Sequence, residues 1–577
     1  MTTSDAPPAQ ETTLGPTAAT RHLCAGVYVD ERFRDLVIDE VCTAPHRRVA
    51  PSYGFDVVPV MQHAWRAAAL RALPRTTVLA AFTGPLLTGS VPAAVLIASG
   101  FSLLLLLRLA VLLRSVDSQP MAAGRSRRRV PDPLEAHRFL LRFLLPRVVT
   151  PKARVVKRVT VAALWLALAI LAIGLLYPGQ ALTALLLAAA LTLVYLTVGA
   201  IRQLILNRIL RARVLRPSRL SGRQRAADRQ QHHMCAVYRR SRHTDEEDDD
   251  SAMFTLFGDA SPFIGAGELV YQWNPPMSMQ LLRAESDDEP LHEREFAVPP
   301  FEAHELVEYL RAAVLPLNAD SHDVRLPAEV RDRVYVAETD VAVDRSLLPY
   351  HFTRSELRSI INTPESKQHY FLEIITPADG SEFVATVLLH VSLQGRTLSL
   401  STAACVLAHT PRSFQRAEEF GHHGAAAVIW AAFNELSALP NDIQHSWRIL
   451  RYFYTLAKAA VLPRDLTTMP IRNILIGSRV SIREESSQTW TKVQLEKSDI
   501  LGRLKTIEQR LLSAASDFLQ SREVDTSGFN DRALKIINSG IFNFGDNNSF
   551  TNNAVGDASQ VSVPANQPAS AENGAAT

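Results

Sequence analysis

The chain has 577 residues, enough for two or three folded units, and its charge is nearly balanced, with 61 Lys and Arg against 58 Asp and Glu. Its 4 cysteines are far apart and form no C-x-x-C pair, which argues against a disulfide framework and a zinc site. The Thr/Ala/Pro-rich first twenty residues contain no secretory signal and are expected to be disordered.

The basic residues are concentrated beside apolar blocks. Residues 114–158 contain twelve Lys or Arg against three acids, and residues 202–225 contain eight Arg and no acid. Stretches of this kind beside membrane spans follow the positive-inside rule and attract anionic lipid heads. We therefore expect the partner of these stretches to be the anionic inner leaflet of a lipid bilayer rather than a nucleic acid.

The block at residues 159–201 is uncharged and, as a helix, would extend about 65 Å, roughly twice the apolar thickness of a bilayer. A Tyr-Pro-Gly-Gln sequence at 177–180 interrupts it, and Pro and Gly together favour a turn. The pattern predicts a membrane hairpin, with one span at Val159–Leu176 and the second at Ala181–Ile201.

The block at residues 76–107 is interrupted by Gly84-Pro85 and by Gly89-Ser-Val-Pro92. We interpret it as another membrane hairpin, the first in the chain, with spans near Leu73–Leu87 and Pro92–Leu113. The alternative is a single tilted helix, which would place the N-terminus outside. The basic residues that precede the block disfavour that alternative; they are Arg47, Arg48, Arg66, Arg71 and Arg75.

These interpretations predict a multi-pass protein of the cell membrane with four spans and both termini in the cytoplasm. Neither uncharged block contains Asp, Glu, Lys or His. Because transport pathways need polar or ionisable groups inside the membrane, the spans are expected to anchor the protein rather than to form a pathway.

The predicted fold class is an α-helical membrane anchor followed by a cytosolic α+β domain, a helical and coiled-coil segment and a disordered tail. The predicted segments are a disordered N-terminus (1–20), an N-terminal cytosolic segment (21–72), the first hairpin (73–114), a basic loop (115–158), the second hairpin (159–201), a basic then acidic linker (202–250), the α+β domain (251–410), the helical region (411–537) and the tail (538–577). In the basic loop, Leu134–Val149 mixes Leu and Phe with Arg at helical spacing. It is either an interfacial helix or a helix packed on the spans.

In the α+β domain, alternating and β-branched sequences predict four strands, at Val334–Val343, His369–Ile375, Phe383–Leu393 and Thr397–Leu407. The sequence Gln394-Gly-Arg396 predicts a tight hairpin turn. Amphipathic helices are predicted at Phe301–Leu315 and Thr353–Ile361, and Thr353 with Glu356 forms a capping box.

The helical region contains two features of note. The apolar stretch Gly424–Phe433 is too short to span a bilayer, which favours a core helix. In Lys492–Arg522, apolar residues recur at spacings of 4, 3, 4 and 7, which predicts either a coiled coil that associates with a second copy or a helix packed on its own domain. These residues are Ile500, Leu504, Ile507, Leu511 and Phe518.

Motifs that carry chemistry are scarce. The chain has no P-loop, no H-E-x-x-H and no G-x-S-x-G sequence, and the G-x-G at Gly265–Gly267 has no third glycine. The pairs His232-His233, near Cys235, and His422-His423 have no further ligands at metal-binding spacing. We therefore expect no catalytic residue, no cofactor and no metal site.

The tail residues 541–563 combine two Gly-Asp units, eleven residues apart, with Phe and Val that alternate with Asn and Ser. This composition favours stacked cross-β arches, with a plain disordered tail as the alternative. The residues predicted to self-assemble are Phe542, Phe544, Gly545, Asp546, Asn547, Asn548, Phe550, Gly556 and Asp557.

Three groups of residues resemble a family of uncharacterised actinobacterial integral membrane proteins. They are Tyr28–Glu31 with Ala50–Asp56, Ser261–Gly267, and Leu393–Leu398. The tail is similar to bacterial amyloid signalling motifs through residues 545–548 and 553–557. Together these features predict a membrane scaffold or signalling adaptor that binds an unknown protein partner and forms a homo-oligomer. A membrane-anchored enzyme or small transporter is the competing hypothesis.

Overall fold

The computed structural model describes residues 16–117, 178–239, 262–273, 276–284, 290–318, 327–421, 424–467, 476–490, 493 and 496–538, with short pieces between 162 and 174. The chain divides into two compact units, each assembled from separate stretches of sequence. Unit 1 takes its described residues from Met1–Gln62, Arg213–Arg416 and Leu462–Thr577, and unit 2 takes its own from His63–Ala212 and Ala417–Val461.

Unit 1 is built on a seven-stranded sheet with the order β1-β4-β5-β6-β7-β2, in which β3 also pairs with β7. The strands are β1 (Cys235–Tyr238), β2 (Glu268–Gln272), β3 (Met277–Gln280), β4 (Glu329–Ala337), β5 (Gln368–Ala378), β6 (Phe383–Gln394) and β7 (Thr397–Leu407). Strand β1 runs parallel to β4, and the other pairs are antiparallel. Strands β5, β6 and β7 follow one another in the chain and are antiparallel, so short turns suffice to connect them, whereas residues 338–367 separate β4 from β5.

The helices of unit 1 come from three parts of the chain. They are α1 (Ala18–Val29), α2 (Glu31–Leu36), α6 (Gly222–Gln231), α7 (Leu291–Arg294), α8 (Ala303–Val314), α9 (Glu338–Val343), α10 (Arg354–Asn362), α15 (Ile482–Ser486), α16 (Glu496–Ser521) and α17 (Ser527–Asn538). A π-helical turn, Val37–Cys42, follows α2.

Both faces of the sheet are covered, which follows from the alternation of side chains along each strand. On β5, Leu372 and Ile374 join the core formed with α8, α10 and α16, whereas Phe371 and Ile375 point to the opposite face. On that second face the sheet packs against Tyr53 and the segment around Phe263. The near-continuous apolar sequences of β6 and β7 are therefore those of strands buried on both sides.

Most of the local predictions for this sheet are confirmed. The hairpin turn between β6 and β7 contains Gly395 with a positive φ of 60°, and the capping box of Thr353 and Glu356 begins α10. The predicted strand Val334–Val343 is wrong in its second half, because β4 ends at Ala337 and α9 follows. Acidic residues occupy the first turn of α9, where they favour a helix.

Unit 2 is helical. Its described elements are α3 (Val57–Leu87, from His63 onward), α4 (Val91–Asp117), α5 (Pro178–Arg211), the end of α11 (Arg412–Gly421), α12 (Gly424–Leu436), α13 (Leu439–Gln444) and α14 (Ile449–Val461), together with an apolar helix at Trp165–Gly174. A small apolar core joins α3 to α5 through Val78, Leu191 and Tyr195.

The prediction of four membrane spans is wrong. Among the described residues, only Ala181–Arg211 forms a helix that is long and apolar enough to cross a membrane. The apolar part of α3, predicted as a span at Leu73–Leu87, would be about 22 Å long, and the charge-free part of α4, which ends before Arg108, would be about 26 Å long. Both are shorter than a hydrocarbon core of about 30 Å.

The turn predicted between these two helices is present at Thr88–Ser90, but α3 begins at Val57 and continues through Pro74. It is therefore one long helix with arginines in its first half rather than a short apolar span. The second helix of the hairpin predicted at 159–201 corresponds to α5. It begins at Pro178 and extends ten residues beyond Ile201, because Leu and Ile continue the apolar pattern between the arginines.

Candidate functional surfaces

The interior of unit 1 contains a buried ion pair on the second face of the sheet. Glu373 of β5 is fully buried and accepts hydrogen bonds from Arg333 Nε at 3.2 Å and Nη2 at 3.0 Å. Tyr53 donates its hydroxyl to the other carboxylate oxygen, and Arg333 Nη1 donates to the His233 carbonyl at 2.7 Å. Each charge is therefore paired inside the protein, which is the condition under which buried ions are tolerated.

A second buried carboxylate, Glu382, lies where α1 meets the turn between β5 and β6. It binds His22 Nδ1, and its other oxygen accepts from Thr410 N at 3.1 Å and Thr410 Oγ1 at 2.9 Å. Burial alone would raise the pKa of Glu382, but the hydrogen bonds from His22 and His409 hold that pKa well below its usual range. The carboxylate thus joins the N-terminal helix to the sheet.

Two of the motifs behind the family resemblance, at 50–56 and 261–267, meet on the second face of the sheet. Gly265 has a positive φ of 94°, and a Cβ there would lie 2.6 Å from the Pro51 carbonyl oxygen. Gly54, with φ 70°, leaves room for Arg483, which donates to the carbonyls of Tyr53 and Ser381. Both motifs therefore serve the close packing of the N-terminal segment on the sheet.

The histidine and cysteine residues considered as metal ligands do not converge. His233 Nδ1 accepts from Cys235 N at 3.0 Å, and Nε2 donates to the carbonyls of Pro349 and Tyr350, both at 3.1 Å. Burial raises the pKa of the Cys235 thiol to about 11, so it is not a thiolate at neutral pH. No group of three metal-binding side chains occurs in the part of the chain that is described, and His422-His423 lies outside it.

Unit 2 contains an ion network among its helices. Asp442 of α13 is fully buried and binds Arg71 Nη2 and Arg75 Nε, each at 3.2 Å, and it accepts from the Tyr195 hydroxyl at 3.1 Å. Glu435 of α12, which is 3% exposed, binds Arg71 and Arg202, each at 2.8 Å. Three arginines beside the apolar blocks are thus paired with two acids from a distant stretch of sequence, a pairing that no local sequence signal indicates.

The outward surface of unit 2 is apolar. Most of the large apolar side chains that are exposed in the described residues belong to this unit. On α12 these include Trp430 and Phe433, at 58% and 61% exposure, and on α5 they include Leu185 at 65%. Monomeric proteins in water rarely expose so much contiguous apolar surface, and such patches are typical of contacts with a membrane or another protein.

Helices α5 and α12 approach each other through small residues. A Cβ at Gly199 of α5 would lie 2.7 Å from the Ala431 carbonyl oxygen and 2.8 Å from the Ala432 Cα. The inner face of α12 is formed largely by alanines, while Ile429 on its outer face is exposed. Close helix packing through Gly and Ala is characteristic of helices in lipid, where apolar side chains need no burial.

The residues predicted for self-association fall in two places. The five apolar residues of Lys492–Arg522 are all buried in α16, within the core of unit 1, where Phe518 packs on Phe301 with ring centroids 5.0 Å apart. A coiled coil through this stripe would have to break that packing. The residues of the tail, Phe542 to Asp557, lie outside the described residues, as do Leu134–Val149 and the acidic run at 245–250.

An AbeC-like domain spans residues 272–550. The matched range includes strands β3–β7 of unit 1 and helices α12–α14 of unit 2, but none of α3, α4 or α5. Neither the comparison with curated proteins nor the comparison with solved structures gives a match.

Proposed function

We propose that this protein is a membrane-attached scaffold, in which unit 2 contacts lipid and unit 1 binds a protein partner. The observation that carries the proposal is the concentration of exposed apolar side chains on unit 2. Exposure of such a side chain to water costs up to about 1.5–3 kcal/mol relative to full burial, and contact with lipid would remove this cost. Helix α5 is the segment proposed to cross the bilayer, and no further span is part of the proposal.

The internal ion network supports the same proposal. Arg71, Arg75 and Arg202 bind the buried carboxylates of Glu435 and Asp442, so these charges are paired inside unit 2. Charged residues among membrane helices pair in this way because an unpaired charge in lipid is costly. The network fixes α12 and α13 against α3 and α5 without a large apolar core. A unit surrounded by lipid needs polar contacts of this kind, because its apolar side chains gain little from burial.

Unit 1 is proposed to be the partner-binding module. Its buried charges are paired with one another, and its sheet is covered on both faces, so its architecture is that of a rigid platform. Its proposed role is scaffolding rather than catalysis, as the scarcity of catalytic motifs in the sequence predicts. Pull-down from membranes with the full chain and with a variant truncated after Asn538 would show whether partners depend on the tail.

Membrane attachment can be tested by fractionation of cells that express the full chain. We expect the native protein to remain with membranes after carbonate extraction. The double variant Ala190→Arg/Leu193→Arg, at two exposed positions near the middle of the apolar run of α5, should be released, because each Arg near the centre of a spanning helix costs about 2.5–3.5 kcal/mol. Val298→Arg/Val343→Arg, which replaces two exposed apolar residues of unit 1, is the matched control and should stay attached.

Recovery of the native chain in the soluble fraction would refute membrane attachment. Equal release of both double variants would show that arginine substitutions act through general destabilisation instead.

Two sequence resemblances extend the proposed function to the origin of the chain and to its tail. We propose an origin in the actinobacterial membrane family that the motifs at 28–31, 50–56, 261–267 and 393–398 resemble, and self-assembly of residues 541–563 as in amyloid signalling motifs. A peptide of residues 538–564 should form thioflavin-positive fibrils. Its failure to do so at high concentration would remove self-assembly from the scaffold hypothesis.

A further inference from the structure

Helix α14 packs on the rest of unit 2 with one side, and the remainder of its surface has an apolar side and a basic side. Of its residues only Ile449 and Thr455 are buried. Apolar side chains at spacings of 3, 1, 3 and 4 form an exposed stripe along the helix, with Tyr454 68% exposed. The stripe consists of Leu450, Phe453, Tyr454, Ala457 and Val461.

Basic residues follow a separate line along the same helix. Arg448, Arg451 and Lys458 lie on one side of the helix, beside the apolar stripe. Because no Asp or Glu occurs between Asp442 and Asp465, the helix itself carries charge of one sign only. Trp447, 64% exposed, precedes the helix and adds the amphipathic ring that is enriched at membrane interfaces.

We infer that α14 is an interfacial helix that docks on the anionic surface of a lipid bilayer. The apolar stripe would enter the boundary between head groups and acyl chains, and the basic side would lie among the anionic head groups. Two observations select this occupant over a protein groove. The charge of the helix is of one sign, complementary to anionic lipid, and α14 belongs to the same unit as the apolar surfaces of α5 and α12. The inference rests on the proposed membrane attachment of unit 2.

The test places a fluorophore on the exposed stripe by the substitution Ala457→Cys in the full chain, which is feasible because all four native cysteines are buried. The protein is reconstituted into vesicles of neutral phosphatidylcholine, or of phosphatidylcholine with phosphatidylglycerol, that contain lipids with a nitroxide near the head group. We expect strong quenching in the anionic vesicles. A fluorophore at the exposed unit 1 position Ser355→Cys should not be quenched.

The charge requirement is tested by adding Arg451→Gln/Lys458→Gln to the Ala457→Cys protein. Each basic residue near an anionic surface contributes roughly fivefold to binding, so the equilibrium constant for docking of the helix should fall by roughly thirtyfold, and the quenching should fall with it. Arg354→Gln/Lys535→Gln removes one Arg and one Lys from the exposed surface of unit 1 and should leave the quenching unchanged.

Absence of quenching at position 457, or equal quenching in both kinds of vesicle and in both double variants, would overturn the inference while leaving membrane attachment intact. Attachment itself would fail in a different way, because the protein would then not float with either kind of vesicle.

Discussion

Units 1 and 2 both bury charged residues, but they differ in where their large apolar side chains lie. Each contains a fully buried carboxylate bound by arginine, Glu373 in unit 1 and Asp442 in unit 2. In unit 1 these charges accompany a large apolar core on both faces of a sheet. In unit 2 the apolar core is small and the large apolar side chains are exposed. The comparison indicates that polar contacts specify the packing of unit 2, whereas apolar burial dominates in unit 1.

The largest expected effect is in unit 1, from Glu373→Ala. The substitution leaves Arg333, which is 3% exposed, without its counter-ion, and breaking a buried pair in this way costs about 3–5 kcal/mol. Glu329→Ala is the matched control, because its pair with Arg331 is largely exposed and should contribute less than about 1 kcal/mol. Denaturant unfolding of the full chain in detergent, followed by the far-ultraviolet signal of the sheet, would measure both.

In unit 2 the corresponding change is Asp442→Asn. Asparagine keeps one acceptor for Tyr195 but removes the charge that binds Arg71 and Arg75, and we expect a loss of about 2–3 kcal/mol. If the comparison between the units holds, this loss should appear in the unfolding of the helices and leave the sheet transition unchanged. A loss below about 0.5 kcal/mol would mean that the network does not specify the packing of unit 2.

A smaller effect is expected from Gly199→Ala, which places a methyl group against the backbone of α12. Because the backbone there cannot shift freely, the substitution should destabilise the helical unit by about 1–2 kcal/mol. Gly84→Ala is the control, since a Cβ at Gly84 meets nothing within 4 Å. Alanine there should be neutral or stabilising by up to about 1 kcal/mol. The opposite signs, read from thermal unfolding, would confirm close packing of α5 on α12.

A pH-dependent effect is expected in unit 1. Burial, with the nearby charge of Arg48, lowers the pKa of His233 from 6.5 to about 4, and its Nδ1 must stay unprotonated to accept from Cys235 N. The unfolded chain therefore binds the proton first as the pH falls. The contribution of His233 to stability is present above pH 6.5 and is lost as the pH decreases toward 4.

His233→Asn retains an acceptor for the same backbone N–H but does not titrate, so it should flatten this part of the stability profile. Unfolding midpoints measured at intervals between pH 7 and pH 4 would show the difference. Identical slopes for the native chain and the variant would contradict the assignment.

Several local features of the fold could be predicted because they depend on neighbouring residues. The hairpin turn at Gly395, the capping box of Thr353 and the helix at 303–314 each have a signal within a few residues. The apolar stripe of α16 was also visible, but the sequence could not distinguish packing on its own unit from packing on a second copy, because both bury the same face. The prediction of four spans is wrong, because among the described residues only Ala181–Arg211 combines the length and the apolar composition that a bilayer requires.

The candidate surfaces were harder to predict. The sequence predicts that the arginines beside the apolar blocks set the orientation and contact anionic lipid, and no motif around Glu435 and Asp442 marks these acids as their partners. The interfacial character of α14 was hidden because a helix with one apolar stripe usually buries that stripe. Only its exposure in the structure reveals that the stripe remains available.

By itself the sequence determined the long strands β5, β6 and β7, several helices, and where apolar and basic residues concentrate, since these depend on composition and on periods of two to four residues. The tertiary structure alone decided that residues 16–62 complete the sheet domain, and that acids near 440 neutralise arginines near 70 and 200. The physical reason is that a buried charge requires a partner in space, and hundreds of residues of chain can separate the two partners.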